Sequence, residues 1–516
     1  MGNIDENSSN IDATNTHDIA ILAKGTIFSL VGKVGGRALQ LIAQIILARV
    51  LGPALYGLYI MGYTTYQLTS QVGLMGINDG VLLFAGQTTK KDDGSSMQVM
   101  RHALLLALSS GVFFCVLLFL LAPWIALRVY HFPELINILR GFAVTVGLTI
   151  GLRVTAAITR ISQRMQFTFI AEDVLPVVIN LSLIIVLVVI LKWSIWGAIW
   201  AVMISYGVGL LLSFFFIQKI YPGFSFFGAV SPKKAVELLG FSFFTFLSSI
   251  FYLLLYHSTT LMVGYFLSPT HTGQYQVAMN ASWFAPLILT GFSAIFAPMI
   301  PRINKIGDRK RLNKLYIITT KWGLYLYIPI FLILVLMPEQ ILGVVFGENY
   351  LAAATPLIIL SFGNLVNLAT GSVASLFVMT KHEKFWALLS GFSFLLTASL
   401  GIWLIPYWGI NGAAFSMSAG LIVLNILAVF QIDRLLGLSP YDIRYLDGIL
   451  AAFLTALFLI LIKWLFPPNN IIGLIVVALF SFISFAIILR AVGLSEDDKE
   501  FLRMMISKNP ESFIND

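Results

Sequence analysis

The chain has 516 residues, of which 58% are hydrophobic and only 11% are charged, and its mean hydropathy is +0.90. A soluble protein of this length carries about twice that fraction of charged residues, so the composition excludes a soluble globular protein. Apolar runs of roughly 20 residues, the length that crosses the hydrocarbon core of a bilayer, recur along the whole chain. We therefore predict an all-α polytopic membrane protein.

The N-terminal segment and the cysteine content exclude two further classes. The first twenty residues are polar and have no basic region, so they do not resemble a cleaved signal peptide, and the first spanning helix is expected to direct insertion. Cys115 is the only cysteine, which excludes disulfides and cysteine-based metal sites.

Hydropathy predicts fourteen spanning helices. They lie at residues 22–49, 56–87, 98–121, 136–159, 167–191, 194–217, 236–266, 272–300, 313–336, 351–379, 385–405, 410–433, 447–465 and 471–492.

The distribution of basic residues predicts the orientation. Eighteen Lys and Arg residues lie in or beside one set of alternating connections, and four lie in or beside the other set. The positive-inside rule then places both termini in the cytoplasm, and we expect a multi-pass protein of the plasma membrane. The net charge of +8 is explained by this topology, so no nucleic-acid partner is expected. The basic loop 301–314 is interpreted in the same way, as a topology signal that contacts anionic headgroups.

Enzyme motifs are missing from the sequence. There is no GxxxxGK[ST], HExxH or GxSxG pattern, and the six histidines have no ligand spacing. We therefore expect neither an enzyme nor a cofactor or metal site.

An internal repeat gives the architecture. The segment 51–59, "LGPALYGLY", aligns with 267–275, "LSPTHTGQY", at an offset of 216 residues. Pro123 aligns with Pro338 and "WSIWGA" (193–198) with "WGINGA" (408–413), both at 215. The offset spans six helices, which predicts a parallel repeat about an axis along the membrane normal.

Two six-helix lobes followed by two extra helices result from this repeat. The predicted parts are a cytoplasmic N-tail (1–21), an N-lobe (22–217), a cytoplasmic linker (218–235), a C-lobe (236–433), helices 13 and 14 (447–492) and a cytoplasmic C-tail (493–516). Two such lobes can enclose a cavity that rocking exposes to each side of the membrane in turn.

The first predicted helix carries four polar residues on one face: Lys33, Arg37, Gln40 and Gln44. Their spacing of i, i+4, i+7 and i+11 confines them to a wedge of roughly 60°. A cation at mid-bilayer costs about 2.5–3.5 kcal/mol on insertion scales, so it normally faces a partner or a water-filled cavity.

Two interpretations of these cations stay open. Lys33 and Arg37 can pair with a buried acid, for which Asp79, Glu172 and Asp173 are the candidates, although Arg153 and Arg160 compete for the last two. Alternatively, they line a central cavity with Arg153 and bind an anionic ligand, since Arg suits phosphate oxygens.

The equivalent face of the seventh helix carries no charge. The offset of 216 brings Gln40 and Gln44 onto Tyr256 and Thr260, whose hydroxyls would suit sugar contacts, with helix packing as the alternative. Lys321 in the ninth helix is a further candidate for the cavity. Asp79 near the inner end of the second helix and Thr259 in the seventh helix are candidates for a gate or ion site, and the alternative for Asp79 is a part in a helix cap.

Three segments carry a family resemblance. Residues 47–87, "LARVLGPALYGLYIMGYTTYQLTSQVGLMGINDGVLLFAGQ", resemble the opening of polysaccharide biosynthesis proteins. These are oligosaccharide flippases of the multidrug/oligosaccharidyl-lipid/polysaccharide (MOP) exporter superfamily. Residues 261–278 are similar to that family's second-lobe signature, and "FGENYLAAATPLIIL" (346–360) resembles its motif after the ninth helix.

The resemblance implies a two-lobed transporter. Such a protein moves a polyprenyl-(pyro)phosphate-linked oligosaccharide from the inner to the outer leaflet by alternating access, and Lys33 and Arg37 would bind the pyrophosphate. Family members often carry an Asp in the seventh helix where this chain has Thr259, so ion coupling through that acid is not carried over. Membrane lipids and glycosyltransferases of the same pathway would be its partners.

Three alternative functions differ from this one in the sequence features that they require. A multidrug or metabolite exporter of the same superfamily would place an acid deep in a lobe, whereas this chain places bases there. A membrane enzyme would need acidic metal-binding pairs or a large outer loop. A two-lobed facilitator of unrelated fold also matches a parallel repeat.

Overall fold

The computed structural model describes residues 5–87, 93–162, 165–222, 232–442, 445–493 and Asp498. Side chains are described for residues 35–82, 97–162, 166–222, 243, 246–294, 296–442, 445–493 and 498. Every regular element within these ranges is helical.

The first part of the chain forms one compact unit, which contains Met1–Leu51 and Leu58–Ile250. Its α-helices are Asp5–Leu74, Ile77–Gln87, Asp93–Trp124, Leu135–Ile161, Met165–Thr168, Leu175–Leu183, Ser194–Ile220 and the start of Pro232–Phe266. Wider helical turns at Ile125–Val129, Phe169–Val174 and Ile184–Ile190 lie between them.

The second compact unit contains Gly52–Gly57 and Phe251–Asp516. After Pro232–Phe266 its α-helices are Pro269–Ala281, Phe284–Phe296, Met299–Ile306, Arg309–Leu336, Pro338–Ile341, Ala354–Ala369, Val373–Met379, Glu383–Leu436, Tyr445–Leu465 and Ile471–Val492. A wide turn at Leu342–Phe346 and a 3-10 helix at Glu348–Ala353 complete it. The predicted lobe and linker boundaries stay predictions.

Eleven of the described helices are long and apolar enough to cross a membrane. The number becomes twelve if Pro269–Ala281 and Phe284–Ala294, which meet at 41°, form one broken span. The all-helical polytopic membrane fold is therefore confirmed.

The two longest helices contain glycine breaks that bear on this number. Helix Asp5–Leu74 turns at Gly52, where φ is 72°, and Glu383–Leu436 turns at Gly409, where φ is 59°. Each helix is therefore two helical segments joined at a residue in the left-handed region, where glycine has no steric cost. The predicted number of fourteen crossings stays a prediction.

Side-chain caps fix three helix starts. Ser268 accepts a hydrogen bond from the His271 amide at 3.4 Å, Asp308 from the Arg311 amide at 3.0 Å, and Asn470 from the Gly473 amide at 2.7 Å. Each side chain satisfies one amide that has no partner inside its helix, which explains why these spans begin where they do.

The matched segments of the repeat share backbone features. Ser194 and Gly409, 215 residues apart, both have positive φ, at 51° and 59°. Pro123 and Pro338 each precede a wide helical turn, at Ile125–Val129 and Leu342–Phe346. These features lie at the sequence offset of the repeat, although the predicted six-plus-six lobe arrangement stays a prediction.

Two glycines of the repeat pack against each other's segments. A Cβ at Gly57 would lie 1.7 Å from the Pro269 carbonyl oxygen, and one at Gly273 would lie 2.2 Å from the Pro53 carbonyl oxygen. Nearby, Asn280 donates a hydrogen bond to the Tyr56 hydroxyl at 3.0 Å. The contact between segments 53–57 and 269–273 is thus reciprocal, and only glycine allows it.

This contact gives a prediction for stability. We expect Gly57→Ala to lower the stability of the protein by about 1–3 kcal/mol, because the added methyl group meets backbone that cannot move aside. Thermal unfolding in detergent measures the change. Gly35→Ala is the matched control, since a Cβ there has nothing within 4 Å. Equal unfolding temperatures for the two variants would contradict the packing.

Candidate functional site

The predicted site residues lie in both units. Those of the first unit are Lys33, Arg37, Gln40, Gln44, Asp79 and Arg153, and those of the second are Tyr256, Thr259, Thr260 and Lys321. The side chain of Lys33 lies outside the described residues.

Arg37 begins a row of polar contacts in the first unit. Its guanidinium is exposed, and Nη1 donates a hydrogen bond to Oε1 of Gln40 at 3.1 Å. Gln40 in turn donates from Nε2 to the Tyr63 hydroxyl at 3.4 Å. The neighbouring Gly36 lets this helix approach the carbonyl of Asp173, which lies 3.1 Å from where a Cβ would be. The predicted shared face of Arg37 and Gln40 is therefore present. Gln44, four residues further on, is half-buried.

The row continues along the next helical segment. Tyr63 and Tyr66 pack edge to face with ring centroids 5.1 Å apart, and Tyr66 stacks on Phe142 at 5.3 Å. The side chain of Gln67 lies beside Tyr63, and that of Tyr206 lies beside Tyr66. One turn beyond, Gln71 accepts a hydrogen bond from Nη1 of Arg153 at 2.9 Å.

We call these eight residues the polar row: Arg37, Gln40, Tyr63, Tyr66, Gln67, Gln71, Arg153 and Tyr206. It has an arginine at each end and neutral amides and phenols between them. The charge of Arg37 acts on Tyr63, and that of Arg153 acts on Tyr66. The hydrogen bonds given above for Arg37 and Arg153 go to neutral amides, and the backbone of Asp173 lies beside the helix that carries Arg37.

Acidic groups lie near the Arg153 end of the row. Glu172 forms an ion pair with Arg160. Asp79 experiences the charges of both Arg160 and Arg153. Its Oδ1 accepts a hydrogen bond from the side-chain amide of Asn78 at 3.0 Å. Asp79 thus lies within an arginine-rich environment, and its proposed gate or ion-site role stays a prediction.

Hydroxyl groups dominate the candidate residues of the second unit. Tyr252 donates a hydrogen bond to the Tyr256 hydroxyl at 3.3 Å. Thr259 is fully buried and bonded to the Tyr275 hydroxyl at 2.9 Å. Oγ1 of the fully buried Thr260 has no hydrogen-bond partner among the described residues. A cavity of about 10 Å³, the space of one water molecule, borders Tyr256 and Asn364.

Lys321 forms a buried ion pair. Its Nζ lies 2.7 Å from Oδ1 of Asp498, and the two side chains are only 3% and 5% exposed. Nothing in the sequence pattern links these residues, which are 177 positions apart. Within the described part of the chain there is no group of three or more His, Cys, Asp or Glu residues suited to a metal ion.

A comparison with protein families decides the classification. The model described as "Polysaccharide biosynthesis protein" matches residues 46–355, which is more than half of the chain. The chain belongs to this family.

Two curated relatives of this chain have names that refer to glycan biosynthesis and transport. It is 21% identical over 209 residues to the probable low-salt glycan biosynthesis flippase Agl15 of Haloferax volcanii, covering 40% of this chain and 44% of that one. It is 24% identical over 341 residues to the succinoglycan biosynthesis transport protein ExoT of Rhizobium meliloti, covering 65% of each. The matches thus span about half to two thirds of these relatives.

Solved structures share the fold. The lipid II flippase MurJ in an inward closed conformation superposes with a TM-score of 0.70 at 16% identity, covering 93% of this chain and 100% of that one. An inward-facing multidrug resistance transporter of the MATE family superposes with a TM-score of 0.65 at 15% identity, covering 78% of this chain and 94% of that one. The predicted membership of the polysaccharide biosynthesis family is confirmed by the family match, and these solved structures show the shared fold.

Sequence reasoning missed the middle of the polar row. Tyr63, Tyr66, Gln67 and Gln71 follow helical spacing of three to four residues in "YTTYQLTSQ" (63–71), which would have indicated a second polar face. Tyr206 and Asp498 carried no comparable signal, because each is brought in by tertiary contacts alone.

The ion pair of Lys321 gives a second prediction. We expect Lys321→Met to destabilise the protein by about 3 kcal/mol, because it leaves a buried carboxylate without its cation. The double variant Lys321→Met/Asp498→Leu should recover most of this loss. Thermal unfolding of the single and double variants measures the coupling, and strictly additive effects would contradict the pairing.

Proposed function

We propose that this protein is a flippase for a polyprenyl-(pyro)phosphate-linked oligosaccharide. It moves the substrate from the inner to the outer leaflet of the plasma membrane by alternating access of two lobes around a cationic cavity. Both termini face the cytoplasm in this proposal. Glycosyltransferases of the same pathway would supply the substrate.

The polar row is the observation that carries the proposal. It combines arginines at both ends with amide and phenol groups between them, and the family is that of polysaccharide biosynthesis proteins. An arginine fork suits phosphate oxygens, and a tyrosine offers an apolar ring face together with a hydroxyl group. The row can therefore contact the charged head and the sugar of one lipid-linked substrate.

The exposure of the residues supports this assignment. Arg37 is exposed and Arg153 is half-exposed, so both guanidinium groups are accessible within the first unit. Lys33, four residues before Arg37 in the sequence, is proposed to belong to the same cationic site. Gln44 would extend the amide face at the other end. A phosphate group that binds at Arg37 replaces water around this cation with charge-assisted hydrogen bonds.

In the transport cycle we propose, the chain performs no covalent chemistry. The substrate headgroup enters from the cytoplasmic leaflet and neutralises the first unit's arginines. Rocking of the lobes then exposes the headgroup to the other side. Thr259 and Thr260 of the second unit are fully buried, so we assign them to helix packing and propose Tyr256 for a hydroxyl contact to the sugar.

An exporter of the same superfamily is the alternative, since the MATE transporter shares the fold. The polar row argues against a cationic cargo, because its two ends carry positive charge. An exporter of anionic metabolites stays compatible with the row.

Removal of one charge from the row tests the proposal. We expect Arg37→Gln to slow the transfer of a polyprenyl-pyrophosphate-linked saccharide across reconstituted vesicles at least about tenfold, because a charge-assisted hydrogen bond contributes about 1.5–3 kcal/mol. The transfer rate is measured by accessibility of the labelled saccharide to an external enzyme.

Arg128→Gln is the matched control, since Arg128 is also an exposed arginine of the first unit but lies outside the polar row. Its transfer rate should equal that of the unaltered protein. Equal rates for Arg37→Gln and Arg128→Gln would exclude the assigned role of Arg37. Transport of a soluble anion without transfer of the saccharide lipid would favour the exporter.

A further inference from the structure

A second concentration of positive charge lies in the second unit, around the start of helix Arg309–Leu336. A cavity of about 370 Å³ opens there. Four basic residues and one acid contribute to its lining: Arg309, Lys310, Lys314, Lys321 and Asp442. The polar row belongs to the other unit and contributes none of these residues. We call this feature the basic cavity.

The lysines of the basic cavity form a row along one face of the helix. Lys310, Lys314 and Lys321 are spaced i, i+4 and i+11, so they share one face and extend over about 16 Å along the axis. Lys310 and Lys314 are exposed, whereas Lys321 is 2% exposed. This row of lysines therefore extends from the protein surface to the buried Lys321.

The walls of the cavity are held by hydrogen bonds. Asn313 accepts one from the Ser439 amide at 2.9 Å, which fixes the segment that carries Gly437 and Asp442 against the helix. The Tyr445 hydroxyl donates to the Pro440 carbonyl at 2.9 Å and reinforces the same segment. The helix starts at Arg309 after the Asp308 cap, so its positive dipole end lies at the mouth of the cavity.

A carboxylate already occupies the deepest position. Asp498 contacts Lys321 at 2.7 Å and is itself buried. Among the described residues that line the cavity or contact Lys321, four are cations and two are carboxylates, so these residues together carry two more positive than negative charges. A lysine of this burial requires an anion, and the surplus around it favours one with more than one charge.

We propose that the basic cavity binds a phosphate group, and that this group competes with the Asp498 carboxylate for Lys321. A phosphate matches the site because its several oxygens can accept hydrogen bonds from Lys310, Lys314 and Lys321 at the dipole end of the helix. The phosphate comes from an anionic lipid headgroup or from a soluble phosphate compound. This end of the helix carries the basic loop that the positive-inside rule places in the cytoplasm, where both sources are available.

Binding to the full-length protein in nanodiscs tests the proposal. In one arm, discs of phosphatidylcholine are titrated with inorganic phosphate by calorimetry. In the other, phosphatidylglycerol is added and lipid retention is read by native mass spectrometry. Both arms use the Arg37→Gln background, so that binding at the polar row does not contribute and failure of the proposed transport role leaves the result intact.

Two variants report on the cavity directly. Lys310→Gln/Lys314→Gln should weaken binding about tenfold in whichever arm shows it. Arg302→Gln/Lys305→Gln is the matched control, because both residues are exposed in the same basic loop but do not line the cavity. Asp498→Asn should strengthen binding severalfold by releasing Lys321.

The two arms of the experiment distinguish the sources of the phosphate group. Binding in the first arm identifies a soluble phosphate, and binding only in the second identifies a lipid headgroup. No binding in either arm would overturn the proposal. Equal affinities of Lys310→Gln/Lys314→Gln and Arg302→Gln/Lys305→Gln would also overturn it. If Asp498→Asn fails to fold, the exposed Lys310 and Lys314 still decide the result.

Discussion

A charged side chain among membrane-spanning helices needs an anion, a polar partner or water, and this constraint governs both units of the protein. Only 11% of the residues are charged, so the few cations inside the helical regions stand out. The first unit meets the constraint at Arg37 and Arg153 with hydrogen bonds to glutamine side chains. The second meets it at Lys321 with the buried carboxylate of Asp498.

These two solutions have different consequences. A hydrogen bond to a neutral amide does not itself cancel the charge of an arginine, and the proposed function uses this charge to bind an anion. An ion pair cancels the charge locally and stabilises the fold, but removal of either member then costs more than the pair contributes. The first arrangement suits recognition of a phosphate-bearing substrate. The second suits a site in which an internal carboxylate and an external anion compete for one lysine.

Composition and periodicity were sufficient for the all-helical membrane fold, because burial in lipid forces apolar runs of a fixed length. The spacing of Arg37 and Gln40 also predicted that they share one helix face, and the structure contains a hydrogen bond between them. The sequence repeat aligned Gly57 with Gly273 but did not predict their packing, because a shared glycine does not show which backbone segment it approaches. The partner of Lys321 was not predictable, because Asp498 is distant in sequence and belongs to no pattern. The same holds for Tyr206, which only tertiary folding brings beside Tyr66.

A structure of the protein with a bound polyprenyl pyrophosphate, determined in nanodiscs by electron cryomicroscopy, tests the role of the polar row most directly. The proposed function predicts phosphate density within hydrogen-bond distance of the Arg37 guanidinium, with Gln40 still in contact with Arg37. Pyrophosphate density away from the first unit, with Arg37 paired to a carboxylate of its own helices, would contradict it.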